Sequence, residues 1–163
     1  MASSNTSVEK ITVEHVTIRS SKAFAEVRAT LETLVPRLDD GYATLLRFGL
    51  ADRALEQLEA AATLSIFGSR DHGGLLAIAG LKRQAIQYDI GNPLTASLMT
   101  RHRISAGLYA PIRVLLRENP EGEVAFEYDR PVSTFGQFAE ESIDIVARKL
   151  DKDLEDVLQR AAN

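Results

Sequence analysis

Apolar and polar positions alternate along this chain in blocks whose period changes from two to about four and back. ITVEHVTIRS, Ile11 to Ser20, is rich in β-branched residues and predicts a strand, with Ser20 or Ser21 placed to cap the next helix. Its parity is split: Ile11, Val13 and His15 share one face, whereas Val16 and Ile18 take the other, which calls for a bulge or for cover on both sides. Phe24, Val27, Leu31, Leu34 and Leu38 then recur at steps of three and four, one stripe of an α-helix, with Pro36 set to disturb its last turn. PRLDDG reads as a turn. YATLLRFGLADRALEQLEAAAT returns to helical residue types with a break at Gly49, so 39–62 is expected to be a helical insertion. Leu64 to Phe67 suits a short strand ending at Gly68, RDHGG a loop, and LLAIAG a short helix.

QAIQYDI predicts the next strand, and the chain there meets Gly91-Asn92-Pro93. Asn92 is a favoured N-cap, held extended by the proline after it, and Pro93 suits the first helical position, where a missing N–H costs nothing. The N–H groups of that first turn are a candidate anion or carbonyl site, although a well-formed helix start is complete without it. Arg101-His102-Arg103 complements the negative pole at the helix's other end. IRVLL and EVAFEYD form the clearest hairpin, joined through Pro120 and Gly122. Ile112, Val114 and Leu116 alternate with Arg113, Leu115 and Arg117, and Val124, Phe126 and Tyr128 with Ala125, Glu127 and Asp129. Arg113, Arg117 and Glu127 are thus expected to form a solvated cross-strand set. Ile143, Val146, Ala147, Leu150, Leu154, Val157 and Leu158 close the chain as one long amphipathic helix, acidic at its start and with Arg160 late. These elements make a two-layer α/β sandwich of the α+β class, at least partly antiparallel because of the hairpin.

Composition narrows the setting. The 163 residues carry no repeat, low-complexity tract or linker, so one domain over 1–163 is expected, with 1–8 flexible. Cysteine is absent, which removes disulfides, thiolate metal sites and thiol nucleophiles. The opening MASSNTSVEK lacks the apolar core of a secretory signal, and no apolar run approaches the roughly 20 residues that span a bilayer. A cytoplasmic, soluble protein is expected, with no membrane partner. With 19 Lys+Arg against 23 Asp+Glu the net charge is -4, which offers polyanions no general attraction, so nucleic acid is not an expected partner.

Asp71-His72-Gly73 with Leu75-Leu76, the run Gln87 to Pro93, the Leu108-Tyr109-Ala110-Pro111 lead into the hairpin, and Glu127 to Pro131 together resemble the domain-of-unknown-function 302 family. The resemblance runs from about Ser65 to the end and more loosely over the first strand and helix, while Asp39 to Ala62 departs from the shorter family pattern. It implies a compact β-α-β4-α fold, similar in class to TATA-binding-protein-like folds, with a mainly antiparallel sheet and helices on one face. It implies no reaction and no cofactor.

Candidate chemistry is sparse. His72 beside Asp71 is the best-placed general acid or base, since its ordinary pKa is near neutral and a carboxylate neighbour favours its charged form, but loop capping is the competing use of this pair. His15 reads as a strand residue. A metal site would require His72, His102 and carboxylates such as Asp71 or Asp89 to converge, because no His-x-His or His-Glu-x-x-His spacing is present. Ser97, Ser105 and Ser133 lack a Gly-x-Ser-x-Gly elbow, and neither glycine-rich nucleotide loop occurs. Met99 and His102, three apart on one helix, cannot be opposed haem ligands.

Two functions of different class remain open to this sequence. One is a domain that binds or senses a small molecule where the Asp71-His72 loop meets the Tyr88–Asn92 strand end, with Asp89, Arg113, Tyr128 and Arg130 as polar contributors. An enzyme using His72 is a special case of it. The other is an interaction module or homodimer, packing through Phe135, Phe138 and Tyr109, with no ligand.

Overall fold

The computed structural model describes residues 4–163. The expected flexible stretch 1–8 lies outside the described residues at 1–3, and from residue 4 to Glu14 the chain has no regular secondary structure. Among the described residues five strands are formed, β1 (His15–Ser20), β2 (Ser65–Asp71), β3 (Ala85–Gly91), β4 (Ile112–Glu118) and β5 (Val124–Asp129). Seven α-helices among the same residues connect and cover them: α1 (Phe24–Leu34), α2 (Gly41–Arg47), α3 (Ala51–Glu59), α4 (His72–Leu75), α5 (Pro93–Thr100), α6 (Pro131–Phe135) and α7 (Glu141–Ala162). The strands form one antiparallel sheet in the order β1-β5-β4-β3-β2, an α+β, two-layer arrangement of β-α-β4-α type.

Strand alternation decides which face is covered. The hairpin pairs Val114 with Tyr128 and Leu116 with Phe126, and the next pairing sets Tyr88 against Val114, so buried side chains from three strands project to one side. Helix α1 presents Phe24, Val27 and Leu31 to that side, and α7 presents Ile143, Ala147, Leu150, Leu154 and Leu158, all buried. The other face is polar and solvated: Arg117 bonds Glu127 at 2.7 Å and Glu123 at 3.1 Å, Arg19 bonds Glu123 at 2.9 Å, and Arg70 bonds Asp89 at 2.8 Å. Burial works against charge on Arg117, but its hydrogen bonds to Glu127 and Glu123 raise its pKa overall. Arg113 does not join this set. Its side chain stands opposite Asp89, which is committed to Arg70.

Several local expectations are corrected. The split parity of ITVEHVTIRS needs neither a bulge nor double cover: the strand begins only at His15, and Ile11 and Val13 lie before it. Neither Ser20 nor Ser21 caps α1. The cap position is Ala23, whose N–H donates to Glu26 Oε2 at 3.3 Å, while Ser20 Oγ donates to the Ala162 carbonyl at 2.5 Å. Pro36–Leu38 is not a free turn but runs alongside β2, the Ile66 N–H donating to Pro36 O and the Leu38 N–H to Ile66 O. Strand β2 does not stop at Gly68; a bulge at Phe67 shifts the register, Gly68 pairs with Asp89, and pairing continues to Asp71. RDHGG is therefore strand end and helix start rather than loop. Gly49, at φ 72°, does separate α2 from α3. Phe135 is fully buried, and Tyr109 packs edge-on against both Phe135 and Phe138, which leaves Tyr109 and Phe138 half-buried at the surface.

Candidate functional site

The sheet has a busy end. Gly91, Ile112, Asp129 and His15 lie there, and α5, the 3₁₀ turn Ile104–Tyr109 and α6 all connect across it. Asn92 builds one side: its Oδ1 accepts from the Leu94 and Thr95 N–H groups at 2.8 and 3.2 Å, and its Nδ2 donates to Thr63 O at 3.2 Å and Ala62 O at 3.4 Å. One side chain thus caps α5 and ties it to the chain entering β2. Pro93 occupies the first turn as its fixed φ prefers.

Two cavities flank Pro111 and Ile112 at this end. The smaller, about 60 Å³, is apolar and lies between Phe67, Ile90, Asn92, Met99 and Leu150. The larger, about 270 Å³, has an apolar wall of Ile11, Val13, Leu108 and Pro111, with Arg113 and Asp129 as its charged groups. These charges come from adjacent strands, one residue beyond the Val114–Tyr128 pair, so they are cross-strand neighbours on the open face. Asp129 Oδ1 lies 3.7 Å from His15 Nδ1, and both side chains are about half exposed. Arg113 is exposed and has no ion-pair or hydrogen-bond partner among the described residues.

The expected convergence of Asp71-His72 with Tyr88–Asn92 does not form. The register sets Asp71 opposite Ile86 and Ser65 opposite Gly91, so Asp71 and Asn92 sit at opposite ends of the β2–β3 pair. At about 3.3 Å per residue, the six steps from Ile86 to Asn92 separate them by roughly 20 Å. Asp71 caps α4, its Oδ1 accepting from the Gly74 N–H at 2.8 Å, while His72 is exposed and unpartnered among the described residues. Tyr88 faces the core, and its hydroxyl donates to Glu32 Oε1 at 2.9 Å; burial and that carboxylate push its pKa well up. Burial alone would raise Glu32, but hydrogen bonds from Arg28 and Tyr88 bring it below the usual range.

Tyr128 is buried with no partner for its hydroxyl, and burial, with Glu155 and Asp151 nearby, pushes its pKa up to about 12. Arg130 binds Glu14, Asp151 and Glu155 at 3.0, 3.2 and 3.3 Å and so pins the N-terminal segment to α7. Asp151 is pushed up by burial despite Arg130, and its Oδ1 is unpartnered. Of the eight expected ligand residues, Asn92 lines the smaller cavity and Arg113 the larger, with Asp89 beside Arg113. Ile11, Val13, Leu108 and Asp129 were not among those eight. The one sequence signal for them is the parity break at Ile11 and Val13, two apolar side chains left without a place in the strand. No group of three or more His, Asp or Glu side chains suited to a metal ion occurs among the described residues, nor does any helix among them have the length and apolarity to cross a membrane.

A family model described as "Domain of unknown function DUF302" matches residues 42–161, well over half of the chain. The chain belongs to the DUF302 family. Because the match begins at residue 42, nearly all of α2 and the whole of α3 fall inside it. No curated protein shows significant similarity to it. Among solved structures, the uncharacterized conserved protein DUF302 from Bacillus stearothermophilus is similar with a TM-score of 0.66 and 14% identity, over 91% of this chain and 98% of that one. At that identity the likeness concerns the fold.

Proposed function

We propose that this DUF302 chain is a small-molecule-binding domain whose ligand seats at the Pro111 end of the sheet. The reading rests on one observation: a cavity of about 270 Å³ has an apolar wall and a guanidinium, Arg113, that no protein group engages among the described residues. Binding sites characteristically join apolar walls to a few polar groups that orient the ligand. Asp71 and His72 have no part in it, being at the other end of β2, and Tyr88 and Tyr128 serve the core. A cytoplasmic location accords with the cysteine-free composition.

The interaction module keeps support from a different place than expected. Around α4 and the turn after it, Leu75, Leu76, Ile78 and Leu81 are exposed, Ile78 at 86%, a contiguous apolar cluster of the kind that partners cover. A thermal-shift screen against common metabolites separates the two. Ligands that raise Tm in the natural protein and in Ile78→Lys, but not in Val13→Trp, which fills the cavity, support binding at Pro111. A blank screen together with concentration-dependent self-association that Ile78→Lys abolishes supports the interaction module instead.

A further inference from the structure

The charges at the larger cavity are specific enough to name a ligand class. Across the open face His15, Asp129, Arg113 and Asp89 stand in one cross-strand row, and Arg70 reaches Asp89 from two positions along β2, where Gly68 takes the place opposite Asp89. The ends of this row are settled differently. Asp89 is held by Arg70 at 2.8 Å and by this contact is drawn away from Arg113, whereas Asp129 has only the longer, 3.7 Å approach of His15. His15 is itself shared with Glu127 at 3.4 Å. The cavity is thus bordered by one unengaged cation and one loosely held anion on neighbouring strands, about 5 Å apart at Cβ by strand geometry. A simple anion would be drawn to Arg113 and repelled by Asp129 and Asp89, and a simple cation would meet the reverse conflict. A ligand with both charges close together satisfies both groups.

We infer that the site takes a small zwitterion with an apolar body, of the α-amino acid type, its carboxylate on Arg113, its ammonium on Asp129 and its side chain against Ile11, Val13, Leu108 and Pro111. The guanidinium fork matches a carboxylate in two parallel hydrogen bonds, and the aliphatic wall selects against polar side chains. This inference rests on the proposed binding at Pro111 and narrows it.

Calorimetry on the full chain with leucine, valine, methionine and phenylalanine tests it, alongside N-acetylleucine, which lacks the ammonium, and leucinamide, which lacks the carboxylate. At least one apolar amino acid should bind, and leucine should bind at least tenfold more tightly than either blocked form. Arg113→Ala should weaken leucine and N-acetylleucine but not leucinamide, whose repulsion it relieves; Asp129→Asn should weaken leucine and leucinamide but not N-acetylleucine, for the matching reason. The blocked ligands test the natural protein directly, so the result does not depend on how either variant folds. Equal affinity for leucine and its blocked forms, or binding indifferent to both substitutions, overturns the inference. If no amino acid binds while another metabolite does, sensitive to Val13→Trp, the ligand class is wrong and the binding site stands. If nothing binds at all, both fall.

Discussion

Replacing Asn92 with alanine removes more than a helix cap, and the excess can be worked out. Loss of an N-cap side chain costs about 1 kcal/mol, within a range of about 0.5–2. Oδ1 serves two N–H groups, at 2.8 and 3.2 Å, which places Asn92 among well-formed caps. The amide adds two bonds, to Thr63 O at 3.2 Å and Ala62 O at 3.4 Å, long enough to count at the low end, about 0.5 kcal/mol each. Asn92→Ala should therefore cost about 2 kcal/mol. For a chain of this size that corresponds to a fall in Tm of roughly 4–8 °C. Asn92→Asp keeps the acceptor and adds a charge favoured at a helix N-terminus, but loses both amide bonds and faces two carbonyls. It should fall between the natural protein and Asn92→Ala. Urea unfolding of the three proteins, with equal slopes, gives the comparison. A loss below about 0.5 kcal/mol for Asn92→Ala would refute the assignment of cap and tether alike; an aspartate variant as unstable as the alanine one would show that the tether carries the whole effect.

The two buried tyrosines should respond in opposite ways. Tyr88→Phe breaks a bond to the Glu32 carboxylate and should cost about 1.5 kcal/mol, whereas Tyr128→Phe removes a hydroxyl with no partner and should be neutral or stabilising by about 1 kcal/mol; a loss on Tyr128→Phe in chemical denaturation would mean that its hydroxyl is engaged. Burial raises the folded-state pKa of Asp151, so its contribution is whole below the ordinary carboxylate range and is lost as pH rises through the folded value. Measured between pH 4 and 7, the stability of Asp151→Asn relative to the natural protein should therefore improve as pH rises, and a flat difference would contradict burial as the dominant influence. Gly73→Ala should destabilise by about 1–3 kcal/mol despite alanine's better helix propensity. Its Cβ would stand 2.5 Å from Arg83 O and 2.7 Å from Ala85 N, both backbone atoms, and unchanged stability would show that this contact opens readily.

Where a sequence pattern has a short physical range, it was legible here. Asn92-Pro93 specifies a helix start because the cap, the extended residue before proline and the fixed φ all act within three residues. The β4–β5 alternation and the stripe on α7 each come from a single periodicity, and together they determine a sheet covered on one face. Gly68 shows the limit. As a local signal it ends a strand, yet pairing with β3 carries the strand past it through a bulge.

The candidate site lay beyond that limit for the same reason. Asp71-His72 and Tyr88–Asn92 look like neighbours in a list of motifs, but antiparallel pairing reverses direction and sends them to opposite ends of β3. Which aromatic residues are surface and which are core was likewise open in the sequence, and packing of Tyr109 on Phe135 and Phe138 decided it. Local order along the chain was enough to set the start of α5, the faces of β4 and β5 and the class of fold, since each depends on residues within a few positions of one another. That Ile11, Val13, Leu108, Arg113 and Asp129 share one cavity follows from the folded arrangement, because strand register sets Arg113 beside Asp129 and the segments before β1 and β4 close over them.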